Sequence, residues 1–205
     1  MMKENFYKKT KHNEGFTIIE MIIAIAIFLI VIILGISALT NLYSINRKAQ
    51  NMRNILDGLS FAMEDMSRNI RTGYNYSCLI SGQNYSLAEL SEARDCESGQ
   101  NGGRGVAFEY SDGDPLSLGD QWVYYIENNK LYRSTDANTN RVQLTPDEVV
   151  LDANTWNFTV NGSLDTDTQQ PFVILRLVGE IIDNRGGETP FSLQTTVSQR
   201  LIDIK

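Results

Sequence analysis

The sequence predicts an α+β protein: one long N-terminal α-helix packed on an antiparallel β-sheet. Three observations predict it. An apolar run extends from Phe16 to about Leu39 with a single carboxylate, Glu20, inside it. A stripe of apolar residues at helical spacing follows directly, reaching Ile70. Beyond Gly105 the chain becomes a series of short strand-like runs separated by turn residues. With 205 residues there is room for one ordinary domain besides the apolar segment.

The apolar run is long enough to span a bilayer, since roughly 20 residues at about 1.5 Å each cover a hydrocarbon core of about 30 Å. Glu20 is the anomaly. A carboxylate at the centre of a membrane helix costs about 2.5–3.5 kcal/mol on insertion scales, and a position near one end lowers that cost without removing it. Two readings stand on physics alone: Glu20 snorkels to the headgroups, or it pairs with a cation brought by a neighbour. The run is no ordinary secretory signal. It is longer than a 7–15-residue signal core and is followed by Ile36-Ser37-Ala38, a poor cleavage site.

The residues Gly15-Phe16-Thr17-Ile18-Ile19-Glu20 follow a short lysine-bearing leader and open this helix. In that arrangement the chain resembles class III prepilins, the precursors of type IV pilin-like proteins. The resemblance implies the pilin fold and cleavage between Gly15 and Phe16 by a prepilin peptidase. The same enzyme would N-methylate Phe16. Glu20 would compensate the terminal amine of a neighbouring subunit during filament assembly. The implied partners are the prepilin peptidase/N-methyltransferase, other pilin or pseudopilin subunits, an inner-membrane assembly platform and, before assembly, membrane lipid.

Charge fits such a route. The formal net charge is −7; four leader lysines against two glutamates give residues 1–15 a charge of +2, leaving about −9 on the remainder. An acidic remainder argues against general nucleic-acid affinity, and no nucleic-acid partner is expected. The leader lysines favour a cytoplasmic N-terminus, although Arg47, Lys48 and Arg53 follow the span closely and weaken that bias. The expectation is a single-pass inner-membrane protein with an extracytoplasmic C-terminal domain, then a filament in the envelope or at the cell surface.

Five segments are expected: a leader at 1–15, a membrane and assembly helix at 16–40, an amphipathic helix at 41–73, a connecting loop region at 74–104 and a β-sheet domain at 105–205. In the second helix Leu42, Ile45, Ala49, Met52, Leu56, Leu59, Met63, Met66 and Ile70 alternate spacings of three and four, with Asn51, Asn54 and Asp65 off the stripe. The seam fits a coiled coil or, given the strands downstream, a face packed on a sheet. Arg68 and Arg71 suit the negative helix end, and Gly73 is a natural stop. From Phe16 to Thr72 such a helix would be roughly 85 Å long. Gly35 is the place where it could bend, in a family whose members often carry a proline nearby.

The connecting region is rich in Ser, Gly, Asn and Glu, with a short helix expected at Leu87–Arg94 and Gly102-Gly103-Arg104-Gly105 read as a turn. Cys78 and Cys96 flank much of it. An oxidised pair would contribute on the order of 3 kcal/mol through loop entropy; two free thiols are the other reading. Strands are expected at Gly105–Tyr110, Trp122–Ile126, Leu131–Ser134, Trp156–Val160, Phe172–Ile182 and Phe191–Gln199, with Asn128-Asn129 and Asn161-Gly162 as turns.

No catalytic constellation emerges. The sole histidine, His12, lies in the leader, which removes Ser-His and Cys-His arrangements from the remainder and leaves it no histidine for a zinc site. No cofactor is expected. Asp112, Asp114 and Asp120 cluster around Gly113 and Pro115, and Asp165 and Asp167 sit in another loop. Neither spacing matches an EF-hand, and solvated turns explain them better than calcium. Tyr124, Tyr125 and Tyr132 read as a binding surface or as alternating core and surface aromatics.

Met63-Glu64-Asp65-Met66-Ser67-Arg68-Asn69-Ile70-Arg71, Leu144-Thr145-Pro146 and Thr195-Thr196-Val197-Ser198-Gln199-Arg200 make the chain similar to larger family members, the J-type pseudopilin of type II secretion and the PilW-type minor pilin. The function so implied is a structural subunit, not an enzyme, in a type IV pilus or a type II secretion filament. The alternative is an uncleaved, membrane-anchored extracytoplasmic binding or adhesin domain.

Overall fold

An unbroken series of helix-compatible residues becomes α1, Ile18–Thr72, 55 residues long. The computed structural model describes residues 15–80, 85–96, 103–114, 117–137, 139–152, 158–164, 166, 168–182 and 187–200. The leader residues 1–14, with His12, lie outside them, as do Gly102, Pro115, Trp156, Asp165 and Asp167. The chain divides into two units, residues 1–50 and 51–205.

In the first unit α1 is apolar on every side to about Leu39, and every described residue up to Tyr43 is exposed. Among the described residues α1 is the helix long and apolar enough to cross a membrane. It runs through Gly35 without interruption, and a Cβ there would meet nothing within 4 Å. Where the apolar run ends, hydroxyls turn back onto the helix: Thr40 Oγ1 donates to the Ile36 and Ser37 carbonyls at 3.0 Å, and Ser44 Oγ to Asn41 at 2.8 Å. Such back-bonding satisfies a polar side chain without water.

In the second unit α1 turns one face to a core. Leu59, Ala62, Met66 and Ile70 are fully buried, with Met52, Ile55 and Met63 packed at the margin. The stripe read from sequence is therefore sheet-packing from Met52 onward. Its first members, Leu42, Ile45 and Ala49, are exposed, and Leu56 is largely so. A 3.6-residue repeat drifts against a strict 3–4 spacing, which carries Leu56 to the edge and brings Ala62 in.

Gly73 ends the helix, but not through a left-handed backbone; its φ is not positive. It is needed for space, since a Cβ would lie 2.3 Å from Phe108 Cδ2. The Tyr76 hydroxyl sits 2.8 Å from the carbonyls of Ile70 and Gly73 and serves the helix end as a donor.

Two antiparallel sheets follow, where the sequence suggested one. The first has the order β1-β2-β3-β4-β5, from Tyr74–Leu79, Gly105–Glu109, Trp122–Glu127, Lys130–Ser134 and Val142–Gln143. In the second, β8 (Phe172–Ile182) carries β9 (Glu188–Ser198) along one edge; along the other lie β7 (Phe158–Asn161) and β6 (Val149–Leu151). Side chains from both sheets join the α1 face in one core, among them Phe108, Tyr124, Leu151, Val160 and Leu175. A smaller cluster of Leu79, Leu90, Ala107, Val123 and Tyr125 lies beneath α2, Leu87–Ser91.

Several sequence expectations change here. Tyr74–Leu79 is a strand, not connecting loop; a bulge at Asn75 (φ 55°) and burial of four consecutive residues erase the alternation that would have revealed it. Gly103 and Gly105 belong to strand pairing: Gly103 bridges Phe158, and a Cβ on Gly105 would lie 2.7 Å from the Tyr124 carbonyl. The short helix ends at Ser91, ahead of Arg94, which pairs with Ser77. Asn128 and Asn129, both with positive φ, do form the β3–β4 turn.

Candidate functional site

The apolar N-terminal segment is built from its first turn upward. Gly15 and Phe16 lie ahead of α1, and Phe16 is 81% exposed. Thr17 caps the helix: the Glu20 backbone N–H donates to Thr17 Oγ1 at 3.3 Å, and the Met21 N–H to the Thr17 carbonyl at 3.2 Å. Glu20 reaches back, its Oε2 lying 3.5 Å from both the Thr17 N–H and the Thr17 hydroxyl. Thr17-Ile18-Ile19-Glu20 is thus a capping box, two orphan N–H groups answered reciprocally. The pattern of a hydroxyl residue followed three positions later by Glu, ahead of an apolar run, is the signal that would have shown it from sequence. The same box recurs at Ser86 and Glu89, where hydrogen bonds from Ser86 hold the Glu89 carboxyl below its usual range.

The capping bonds at Glu20 are long and use one oxygen. Oε1 has no hydrogen-bond partner among the described residues, so the carboxylate retains an acceptor for an outside cation. Nothing in the fold demands glycine at position 15, where a Cβ would meet no atom within 4 Å.

Further along, Asp65 fixes α1 to the first sheet. Its carboxylate accepts from the Tyr124 hydroxyl at 2.8 Å, from Arg133 Nη1 at 2.9 and 3.1 Å, and from Asn69 Nδ2 at 3.2 Å. Burial is the main reason the Tyr124 phenol titrates well above its ordinary value. Sequence reasoning placed Asp65 off the apolar stripe; its partners on the sheet are 59 and 68 residues away, so no local pattern announces them.

Cys78 and Cys96 are joined in a disulfide with Cα atoms 5.8 Å apart. The segment carrying Cys96 is itself a clasp, since Arg94 pairs with β1 while Cys96 exchanges backbone bonds with Val160 of β7. Gly103 leaves room for the bridge, because a Cβ there would stand 2.5 Å from Cys78 Sγ. The three tyrosines divide: Tyr124 and Tyr125 are buried, and Tyr132 is stacked on Tyr125 with Arg141 over its ring. Among the described residues no three His, Cys, Asp or Glu side chains converge as a metal cage.

The segment that carries the exposed helix is the one that known proteins identify. The prokaryotic N-terminal methylation motif matches residues 10–36. It supports a type IV pilin-like protein of the N-methylated, prepilin type, and so points to a structural subunit rather than an enzyme. Processing by a prepilin peptidase and assembly with other pilin-type subunits are implied by the motif, and the apolar helix is consistent with a single-pass membrane anchor. No curated protein and no solved structure gives a significant match.

Proposed function

We propose that the chain is a minor pilin or pseudopilin, made as a membrane precursor, cleaved between Gly15 and Phe16, methylated on the Phe16 amine and polymerised through the apolar half of α1. The methylation motif at residues 10–36 carries this reading. Two structural observations support it. Gly15 answers to no packing need in the folded chain, which leaves recognition by a protease as the reason for it. The helix from Ile18 to Leu39 exposes apolar side chains all round, a surface stable only in lipid or among like helices.

Glu20 has a definite task in this scheme. Before assembly it closes its own capping box; on assembly its remaining acceptor takes the methylated amine of a neighbouring subunit. Opposite charges in low dielectric then offset each other's desolvation and set axial register. The resemblances over Met63–Arg71, Leu144–Pro146 and Thr195–Arg200 support a minor subunit of the J-type or PilW-type over a plain major one. The filament is that of a type IV pilus or a type II secretion system, assembled on an inner-membrane platform, with the β domain outside the membrane.

The test is Glu20→Ala in cells that assemble the filament. The mutant chain should reach mature length yet be depleted from sheared or cross-linked filaments. Normal incorporation would contradict the register role, and an unprocessed chain in the wild type would favour the uncleaved anchored domain.

A further inference from the structure

Where α1 ends, a cleft of about 370 Å³ opens between its last turns and the segment leaving β9. Glu64, Ser67, Arg68, Arg71, Thr72 and Arg200 line it. Three arginines against one glutamate give the lining a charge of +2, on a chain whose residues 16–205 carry about −9. Arg68 Nη2 lies 3.0 Å from Glu64 Oε1, a pair one turn apart on the helix and open to solvent. Arg71 and Arg200 are exposed and have no carboxylate partner among the described residues.

Arginines in a last helical turn ordinarily answer its free carbonyls. Here those carbonyls are taken. The Asn69 carbonyl accepts from the Gly73 N–H and from Thr72 Oγ1, each at 3.1 Å, and the Ile70 carbonyl from the Tyr76 hydroxyl at 2.8 Å. The Arg71 carbonyl accepts the Arg200 N–H at 2.8 Å. That last bond holds the two arginines backbone to backbone, so their side chains leave from neighbouring points and line one cleft. Two guanidinium groups so placed repel each other, and the one carboxylate in the lining is already engaged by Arg68.

We propose that this cleft docks an acidic segment of a neighbouring subunit, its carboxylates held by Arg71 and Arg200. That the partner is a filament subunit rests on the function proposed above. Guanidinium forks match carboxylates two bonds at a time, and Arg68 keeps donors besides the one turned to Glu64. A segment suits the site better than a free small anion. Exposed pairs gain little in water, and a partner covering the cleft removes the water that screens them. Nucleic acid fits less well, because the basic surface is one confined cleft on an acidic chain and not a track for a phosphate backbone. Sequence reasoning gave Arg68 and Arg71 to the helix end; only the return of the chain after β9 to the end of α1 brings Arg200 beside them.

The experiment is binding of a fluorescein-labelled hexaglutamate peptide to the full chain in nonionic detergent, read by fluorescence anisotropy at low ionic strength. Wild type is compared with Arg71→Ala/Arg200→Ala, which keeps every other basic residue, so the difference reports the cleft alone. The double variant should bind at least about tenfold more weakly, and wild-type affinity should fall as salt is added. Both positions are exposed, so Tm should stay within about 2 °C. In cells that assemble the filament, Arg71→Glu/Arg200→Glu should reach mature length yet be depleted from filaments at least about fivefold. Equal peptide binding by wild type and the alanine variant would overturn the proposal. So would inorganic phosphate that displaces the peptide at equal concentration, since that marks a small-anion site. Normal incorporation of the glutamate variant, beside depletion of Glu20→Ala, would overturn it while leaving the filament reading standing. An unprocessed wild-type chain would instead remove the filament reading, and with it the subunit as partner, whatever the peptide result.

Discussion

Ile27 and Ile70 are the same residue type on the same helix, yet Ile27 is 58% exposed and Ile70 is fully buried. The neighbours of Ile27 are apolar on all sides; those of Ile70 are polar on one side and face two sheets on the other. A helix apolar all round asks for a surrounding that is itself apolar, whereas one with a single apolar face asks for a sheet. In the second unit the need is met within the chain. In the first, on the proposed reading, it is met by lipid and by other subunits.

Substitutions can break or sharpen that contrast, read by urea or thermal unfolding of the full chain in detergent with tryptophan fluorescence. The largest effect is expected from Ile70→Ala, which opens a cavity in the shared core and should cost about 4 kcal/mol. Removing the Cys78–Cys96 bridge by a double Ser substitution should cost about 3 kcal/mol, because it releases a loop of 18 residues in the unfolded chain. Asp65→Ala strands the Tyr124 hydroxyl and Arg133 and should cost about 2 kcal/mol. The smallest effect belongs to Ile27→Ala, with the unfolding of the β domain unchanged within about 0.5 kcal/mol. A loss at Ile27 comparable to that at Ile70 would erase the contrast.

What could be read from sequence follows the same division. The helix from the apolar run to Thr72, the full extent of Phe172–Ile182 and the Asn128-Asn129 turn each leave a local trace: periodicity, a long apolar run rich in Val and Ile, a residue pair tolerant of positive φ. The assignment of strands to two sheets leaves none, because hairpins look alike whichever layer they join. β1 was hidden since Tyr76, Ser77, Cys78 and Leu79 are all buried, so no alternation marks it. At the N-terminus the resemblance pointed to Gly15, Phe16 and Glu20, while the capping role of Thr17 and Glu20 was present in the same letters and went unread.

The central claim is tested most directly by the intact mass of the chain extracted from membranes of cells with an active prepilin peptidase. The account predicts a polypeptide beginning at Phe16 and heavier by one methyl group, reverting to full length in Gly15→Val. A chain that keeps its lysine-bearing leader in the presence of the active peptidase would contradict it.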